Sequence, residues 1–263
     1  MRAPRPGSLE TLLHLPAFIL AALTMFWAST LAGLLGYVQF WRLRGRRNDT
    51  YAAVRFLADF HRVKAVHVGR GVLYRAGPVM YLANHRSWAD FFLDLLFLEG
   101  RPCTLSRLGV LLLFPVTMLS GVALRSVILF HRGPIADKKR FNSWLDRKLQ
   151  ETSYQGLLVY PEGHRSTAGQ SLPLKRGMLH YAYERKMPIQ IVVSCNKDAV
   201  IAEKQLTARF GQTVGVSYSD LIDTSAFASF EGFLREVQAA WDRQWALTDT
   251  ADLAGLPPLE QFR

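Results

Sequence analysis

The sequence predicts an α/β domain with a mixed, largely parallel sheet flanked by helices, preceded by a membrane-anchoring helix or hairpin. Short apolar runs of strand length alternate with longer segments of helical periodicity, which is the pattern of an α/β fold. Polar residues directly follow three of these runs. The anchor is predicted by the stretch from Leu15 to Trp41, which contains no Asp, Glu, Lys, Arg or His.

Composition narrows the class of protein. The chain has 263 residues, of which 49% are hydrophobic, and a formal net charge of +11, which favours an anionic partner such as a membrane surface, a nucleic acid or a phosphorylated substrate. Its two cysteines, Cys103 and Cys195, lie far apart without metal-ligand spacing. We therefore expect a domain of a reducing compartment with neither a disulfide scaffold nor a metal site. We divide the chain into an anchor with its basic flank (1–50), a catalytic domain (51–248) and a loose C-terminal tail (249–263).

The N-terminal apolar stretch is long enough to cross a membrane. As a helix it would measure about 40 Å, against a hydrocarbon core of about 30 Å, and it is too long for the apolar region of a cleaved signal peptide. Arginines 42, 44, 46 and 47 crowd its C-terminal flank, so the positive-inside rule places the rest of the chain in the cytosol. This indicates the endoplasmic reticulum in a eukaryote or the inner membrane in a bacterium. Pro16, Gly33 and Gly36 leave open a hairpin that dips into one leaflet.

Two further segments are candidates for contact with the membrane. Tyr51 to Val66 alternates apolar and basic residues at helical spacing, which suits either a helix on the membrane surface or a basic solvated helix. Gly109 to Leu124 is strongly apolar, but it is shorter than a usual spanning helix and Pro115 interrupts it. We expect the latter to be a core or membrane-embedded helix that does not cross.

A strand, a polar turn and a helix are predicted between Pro78 and Leu98. Val79 to Leu82 is a continuous apolar run that suits a strand covered on both faces. Ser87 is the predicted N-cap of the following helix, with Asp90 three residues on. His85 therefore lies at the end of a strand, where open α/β sheets place their ligands. With its other ring nitrogen held by Asp90, His85 can act as a general base.

The remaining elements repeat this pattern. Strands are predicted at Ser126–Phe130, Leu157–Tyr160, Pro188–Ser194 and Thr213–Tyr218, and helices at Asp137–Gln150, Leu174–Tyr183 and Phe227–Leu247. Arg132 follows the first of these strands, and Glu162, Gly163 and Arg165 follow the second. We expect these residues to meet His85 at one edge of the sheet.

The predicted site suits transfer of a chemical group to a substrate hydroxyl that lies beside a phosphate. Arg132 and Arg165, supported by Lys175 or Arg176, can clamp a phosphate, and Glu162 can hold a hydroxyl or the arginines. A G-x-S-x-G nucleophile motif is absent from the sequence, and neither cysteine has the context of a nucleophile. These features favour a base-activated substrate hydroxyl over a covalent acyl-enzyme. The alternatives are a membrane-anchored lipid-binding protein without activity and, from net charge alone, a nucleic-acid-binding protein.

Two motifs resemble those of the glycerophospholipid acyltransferases. Asn84-His85-Arg86-Ser87-Trp88-Ala89-Asp90 is similar to the family's NHxSxxD motif with its HxxxxD core, and Tyr160-Pro161-Glu162-Gly163-His164-Arg165-Ser166 is similar to its FPEGTRS motif. Phe130-His131-Arg132 and Met187-Pro188-Ile189 resemble two further family motifs.

The resemblance implies transfer of a fatty acyl group from acyl-CoA to a lysophospholipid, most often 1-acylglycerol-3-phosphate. It makes His85 the base and Asp90 its orienting partner, and it places Arg132, Glu162, Gly163 and Arg165 on the glycerol phosphate, with no metal or cofactor. Backbone N–H groups at the Ser87 helix start are the expected oxyanion donors. His131 and His164 depart from the family pattern, so lysophosphatidylcholine stays open as an acceptor.

Overall fold

The computed structural model of the protein describes residues 9–38, 48–131, 137–166 and 171–260. Its strands are β1 (Lys64–His67), β2 (Met80–Ala83), β3 (Cys103–Arg107), β4 (Val127–Phe130), β5 (Leu157–Val159), β6 (Ile189–Cys195), β7 (Ile201–Ala202), β8 (Thr207–Ala208) and β9 (Thr213–Tyr218). Its helices are α1 (Leu9–Val38), α2 (Asn48–Phe60), α3 (Asp90–Phe97), α4 (Val110–Leu113), α5 (Pro115–Ala123), α6 (Lys138–Glu151), α7 (Arg176–Glu184), α8 (Lys197–Val200) and α9 (Phe230–Asp249).

Seven of the strands form one mixed sheet in the order β1-β9-β6-β2-β5-β3-β4. The five strands from β6 to β4 run parallel, whereas β9 is antiparallel to β6 and parallel to β1. Strands β7 and β8 form a separate hairpin. The mixed, largely parallel sheet confirms the predicted fold class. Because β6, β2 and β5 are adjacent and parallel, the residues that follow their carboxyl ends come together at one edge.

Strand β2 lies at the centre of the domain and separates two hydrophobic cores. Tyr81 and Ala83 face the core that also contains Phe92 of α3, while Met80 and Leu82 face the core formed with α7 and α9. All four β2 residues are fully buried. A strand covered on both faces needs a continuous apolar run, which is why this strand was predictable.

Several predicted elements need correction. The helix predicted over 51–66 ends at Phe60, and β1 begins at Lys64. The apolar segment 109–124 forms two short helices, α4 and α5, on either side of Phe114. Strands β1 and β3 and the β7–β8 hairpin were not predicted, because their residues are only partly apolar or too few to show a period.

The C-terminal segment is not loose. His67 donates its backbone N–H to Pro257 O at 2.9 Å, and Leu259 donates to Ala65 O at 2.9 Å. Leu259 is also buried in the core. The end of the described chain is therefore fixed along the exposed edge of β1.

Helix α1 lies against the α/β domain along much of its length. Phe18 stacks on Trp88, and Phe26 packs against Phe114. Further along, a Cβ built on Gly33 would lie 3.1 Å from Ser120 Oγ of α5, so glycine is needed for this close approach. The helix does not break at its glycines or at Pro16. The four arginines of the predicted basic flank lie outside the described residues.

Candidate active site

The loop after β2 is fixed in place by its own polar side chains. Asn84 Nδ2 donates to Ser194 O at 2.8 Å, and Asn84 Oδ1 accepts from Ser194 N at 2.9 Å. This amide therefore joins the ends of β2 and β6. The backbone N–H of His85 donates to Glu162 Oε2 at 3.0 Å, which ties the same loop to the segment after β5.

His85 and Asp90 form the predicted pair. His85 Nδ1 lies 2.5 Å from Asp90 Oδ2. The imidazole is 20% exposed and Asp90 only 1%, so the histidine reaches the surface of the site while the carboxylate is enclosed behind it. Because Nδ1 is engaged by Asp90, Nε2 is the nitrogen positioned to exchange a proton with a substrate. Tyr160 stacks on the imidazole with ring centroids 4.5 Å apart, which fixes the plane of the ring.

The turn between β2 and α3 differs from the predicted helix start. Helix α3 begins at Asp90, and the N-cap position is Ala89 without a side-chain capping bond. Ser87 Oγ instead accepts from Ala89 N at 3.2 Å. The Asp90 carboxylate closes the turn itself, since Oδ2 also accepts from the backbone N–H groups of Arg86 at 2.6 Å and Ser87 at 3.1 Å.

These contacts exclude the backbone N–H groups of this turn as oxyanion donors. The N–H groups of Arg86 and Ser87 bind Asp90, and that of Trp88 donates to Glu203 Oε2 at 3.1 Å. The N–H of Ala89 binds Ser87 Oγ. The expectation that they stabilise an oxyanion is wrong, because each already has an acceptor inside the protein.

The ionisation of Asp90 is set by opposing influences. Burial disfavours its charge, but the charge of Lys197 and the hydrogen bond from His85 prevail and lower the pKa of Asp90 to about 2. Lys197 Nζ lies 3.0 Å from Asp90 Oδ1. Asp90 is therefore a carboxylate at neutral pH and can stabilise an imidazolium on His85.

The segment after β5 brings its predicted residues to the same edge. Glu162 is fully buried, and burial raises the pKa of its carboxyl group, against the lowering by the backbone N–H of His85. Gly163 has φ +74°, and its carbonyl accepts a hydrogen bond from the Arg107 guanidinium. Lys175 lies beside Gly163, since a Cβ on this glycine would be 3.2 Å from Lys175 Cγ.

Arg165 has a partner that the sequence did not reveal. Its guanidinium forms an ion pair with Glu203, which lies in the turn of the β7–β8 hairpin. The Arg165 side chain is 26% exposed and Glu203 11%, so the pair borders the site and is partly open to solvent. Arg132, the remaining predicted phosphate contact, lies outside the described residues.

An apolar cavity of about 150 Å³ lies between α1 and the sheet, near the site. It is lined mainly by residues of α1, α2, α3 and α5, among them Met25, Gly33, Leu57, Phe92, Leu95, Met118 and Gly121, and by Tyr160. Tyr160 lines the cavity and also stacks on His85, so a single side chain connects the cavity wall to the imidazole. An apolar cavity near a histidine–aspartate pair suits a substrate with a hydrocarbon chain.

Sequence reasoning missed Asp94, Lys197 and Glu203. Asp94 lies one helical turn after Asp90 on α3, and Lys197 follows the end of β6. Asp94 could have been found by its helical spacing from Asp90, and Lys197 by its position after a buried strand. These are the signals that identified the other site residues. Glu203 had no such signal, because its role depends on where the hairpin folds.

The site and the fold together define an α/β protein with a histidine–aspartate pair at the carboxyl edge of its sheet. A family model described as Acyltransferase matches residues 64–194, the stretch that holds both sequence motifs. The chain belongs to the acyltransferase family that this model describes, in agreement with the resemblance of its motifs to those of the glycerophospholipid acyltransferases.

Among solved structures, the fold is similar to that of the 1-acyl-sn-glycerophosphate (LPA) acyltransferase PlsC from Thermotoga maritima. The TM-score is 0.65 at 18% sequence identity, and the match covers 87% of this chain and 94% of the other. A comparison with curated proteins gave no significant match.

Proposed function

We propose that the protein is a membrane-bound O-acyltransferase that moves a fatty acyl group from acyl-CoA to the free hydroxyl of a lysophospholipid. The observation that carries this proposal is the His85–Asp90 pair, in which an enclosed carboxylate binds one nitrogen of a partly exposed imidazole at 2.5 Å. Such a pair activates a hydroxyl without a covalent enzyme intermediate. The apolar cavity beside it supplies space for the acyl chain.

In this reaction His85 Nε2 removes the proton from the acceptor hydroxyl as its oxygen attacks the thioester carbonyl. A C–O bond forms, and the C–S bond then breaks. The imidazolium returns the proton to the departing CoA thiolate. Asp90 stabilises the imidazolium from its formation until it returns the proton. Its negative charge therefore lowers the barrier to the attack by the hydroxyl.

The acceptor we propose first is 1-acylglycerol-3-phosphate, giving phosphatidate. Arg165, Lys175 and Arg132 supply positive charge for a phosphate, although Glu203 neutralises part of the charge of Arg165. Lysophosphatidylcholine is the second candidate, because a guanidinium already paired with a carboxylate binds a dianionic phosphate less strongly.

Membrane association is the second part of the proposal. Helix α1 contains a candidate spanning segment, Thr11–Leu35, with a mean hydropathy of 1.9. Its outward face exposes Leu20, Leu23, Trp27, Leu31 and Leu34, and α4 and α5 expose Leu112, Leu113, Leu119 and Val122 beside it. A contiguous apolar surface of this kind marks an interaction site.

The contacts of α1 favour a helix embedded in one leaflet over one that crosses. Its opposite face packs on the domain through Phe18, Ala21 and Met25, all buried. A helix held along its length by a domain with a polar surface cannot leave that domain to span the bilayer. The cytosolic orientation stays a prediction, because the positive-inside rule applies to helices that cross.

The experiment that tests the proposal measures release of CoA thiol by membranes carrying the full-length protein. Release should require both acyl-CoA and a lysophospholipid, and His85→Ala should abolish it with the protein still bound to the membrane. Undiminished turnover in the variant would reject His85 as the base. A panel of lysophospholipid headgroups at fixed acyl-CoA identifies the acceptor, and binding of lysophospholipid without thiol release would favour the lipid-binding alternative.

A further inference from the structure

A fully buried cluster of charges lies directly behind His85. At its centre is Lys197, the first residue of α8, whose side chain has 0% exposure. Its Nζ lies 3.0 Å from Asp90 Oδ1, and 2.8 Å and 2.9 Å from the two carboxylate oxygens of Asp94. It also donates to Asn84 O at 2.8 Å. A buried lysine is costly unless every donor has a partner, and here each contact is to a residue next to the site.

The cluster is connected to the imidazole through two side chains. On one side, Asp90 joins Lys197 to His85 Nδ1. On the other, Tyr160 Oη donates to Asp94 Oδ2 at 3.0 Å while its ring stacks on the imidazole. Lys197 and Asp94 are therefore each one contact away from a group that touches His85.

The charges of the cluster match what the imidazole requires. Two carboxylates and one ammonium group leave a net charge of −1, and protonation of His85 brings the total to zero. Burial, against the opposing effect of Lys197, raises the pKa of Asp94 to about 6, so both carboxylates are ionised above that pH. The resting site therefore has one buried negative charge that a proton on His85 neutralises.

We infer that Lys197 and Asp94 are positioning residues for the proton transfer at His85. Lys197 forms an ion pair with Asp90 Oδ1 and so attracts this oxygen, which leaves Oδ2 directed at His85 Nδ1. Asp94 offsets the charge of Lys197, so that the charge of Asp90 acts on the imidazole undiminished. This inference rests on the proposed function, in which His85 is the base, and it adds two residues that neither motif contains.

Other charged groups near the imidazole stay constant in the test. Glu162 accepts the backbone N–H of His85, and Arg165 is paired with Glu203. Arg86 points away from the cluster, toward Asp198 and Asp249. Variants confined to Lys197 and Asp94 therefore change the charge of the cluster alone.

Three variants of the full-length protein separate positioning from a merely structural role. Asp94→Asn leaves the cluster neutral. Lys197→Met leaves it at −1, because the buried Asp94 takes up a proton once the ammonium group that favours its ionisation is lost, and the double variant also leaves it at −1. The pH dependence of His85 modification by diethyl pyrocarbonate, followed by peptide mass spectrometry, reports the charge on the imidazole without requiring acyl transfer. Only the neutral imidazole reacts.

The two single variants should differ. Asp94→Asn should move the midpoint of modification down by about one pH unit, because the cluster loses the negative charge that stabilises the imidazolium, whereas Lys197→Met should leave the midpoint near the wild-type value. The double variant should lie close to the wild type. In the thiol-release assay the acid limb of the rate profile should move in the same way as the modification midpoint, and kcat should fall about tenfold in each single variant. The KM for the acceptor should stay unchanged.

A midpoint for Asp94→Asn that stays at the wild-type value, or a double variant that does not reverse its shift, would overturn the inference. So would single variants with wild-type kcat. If Lys197→Met fails to fold, Asp94→Asn and the double variant still decide the question, since the second must reverse the shift of the first. A wild-type protein without acyl transfer would reject the proposed function alone, because the modification midpoints do not depend on turnover.

Discussion

Replacing Asp90 with asparagine removes the charge behind His85 and keeps the shape of the side chain. In the wild type, Asp90 Oδ2 accepts from His85 Nδ1 at 2.5 Å and from Arg86 N at 2.6 Å. An amide can satisfy some of these donors through its oxygen, but it cannot stabilise an imidazolium by charge. We therefore expect Asp90→Asn to slow acyl transfer more than it destabilises the fold.

The expected loss of rate follows from the electrostatic role of the carboxylate. Removing one preorganised partner of a developing charge costs about 3–4 kcal/mol in the transition state, which is about 10²- to 10³-fold in kcat. Substrate binding does not involve the enclosed carboxylate directly. The KM values for acyl-CoA and the acceptor should therefore stay within a few-fold of the wild type.

The expected loss of stability is small because two effects oppose each other. The folded-state pKa of Asp90, about 2, lies below its ordinary value of 3.8, so the ionised group adds about 2 kcal/mol that is present above pH 4 and lost between pH 4 and 2. Asp94 has the opposite sign, since its pKa is raised from 3.8 to about 6 and its ionisation costs a similar amount at neutral pH. Asp90→Asn relieves that cost by leaving Lys197 to Asp94 alone.

The assay is thiol release at saturating acyl-CoA and lysophospholipid, with unfolding followed in parallel. Asp59→Asn is the matched control, because this exposed carboxylate pairs with Arg55 on α2, away from the site. The control should leave kcat unchanged. A rate for Asp90→Asn within threefold of the wild type would refute the role assigned to the carboxylate, and a fall in kcat that tracks unfolding would show a structural role instead.

Three further predictions concern the acceptor, the turn after β5 and the membrane. Arg165→Met should raise the KM for a phosphate-bearing acceptor about 10- to 100-fold by loss of a charged hydrogen bond, whereas Glu203→Gln should lower it by freeing the guanidinium. Gly163→Ala should cost about 1–2 kcal/mol of unfolding free energy, since φ is +74°, and should reduce activity by displacing the turn. Leu31→Ser with Leu34→Ser, both about half exposed on α1, should weaken binding to phospholipid vesicles roughly 30-fold.

Matched controls distinguish these effects from general destabilisation. Gly211→Ala has nearly the same φ, +75°, with nothing within 4 Å of the new Cβ, and should lose stability without losing activity. Leu247→Ser changes an equally exposed leucine on α9 and should leave vesicle binding intact. Equal loss of binding in both leucine variants would contradict the assignment of the α1 face to the membrane. A raised KM in Glu203→Gln would contradict a competition between Glu203 and the acceptor phosphate.

The features that the sequence predicted are those encoded in short stretches of chain. Strand β2 was predictable because a strand buried on both faces needs consecutive apolar residues. The His85–Asp90 pair was predictable because five residues of a turn and helix start bring both side chains together. Glu162 and Arg165 were placed at the same edge because parallel strands end on the same side of a sheet.

Errors arose where local signals were weak or ambiguous. Ser87 had the spacing of an N-cap, but the Asp90 carboxylate accepts the backbone N–H groups of the turn in its place. The tail after Asp249 contains prolines and lacks a period, yet Leu259 is buried against β1. A short segment can be held by hydrogen bonds to a few backbone groups far away in sequence. The composition of the segment does not predict these bonds.

The tertiary structure alone decided how the pair is supported and how the anchor is held. Lys197 contacts Asp94 across 103 positions of sequence, and Arg165 reaches Glu203 across 38. Helix α1 places Gly33 against Ser120 of α5, a contact that a hydrophobic stretch does not specify. Apolar periodicity determines which residues are buried, but the order of strands determines which of the buried polar residues meet. The sequence thus determined the His85–Asp90 pair, and the sheet order determined the charges that surround it.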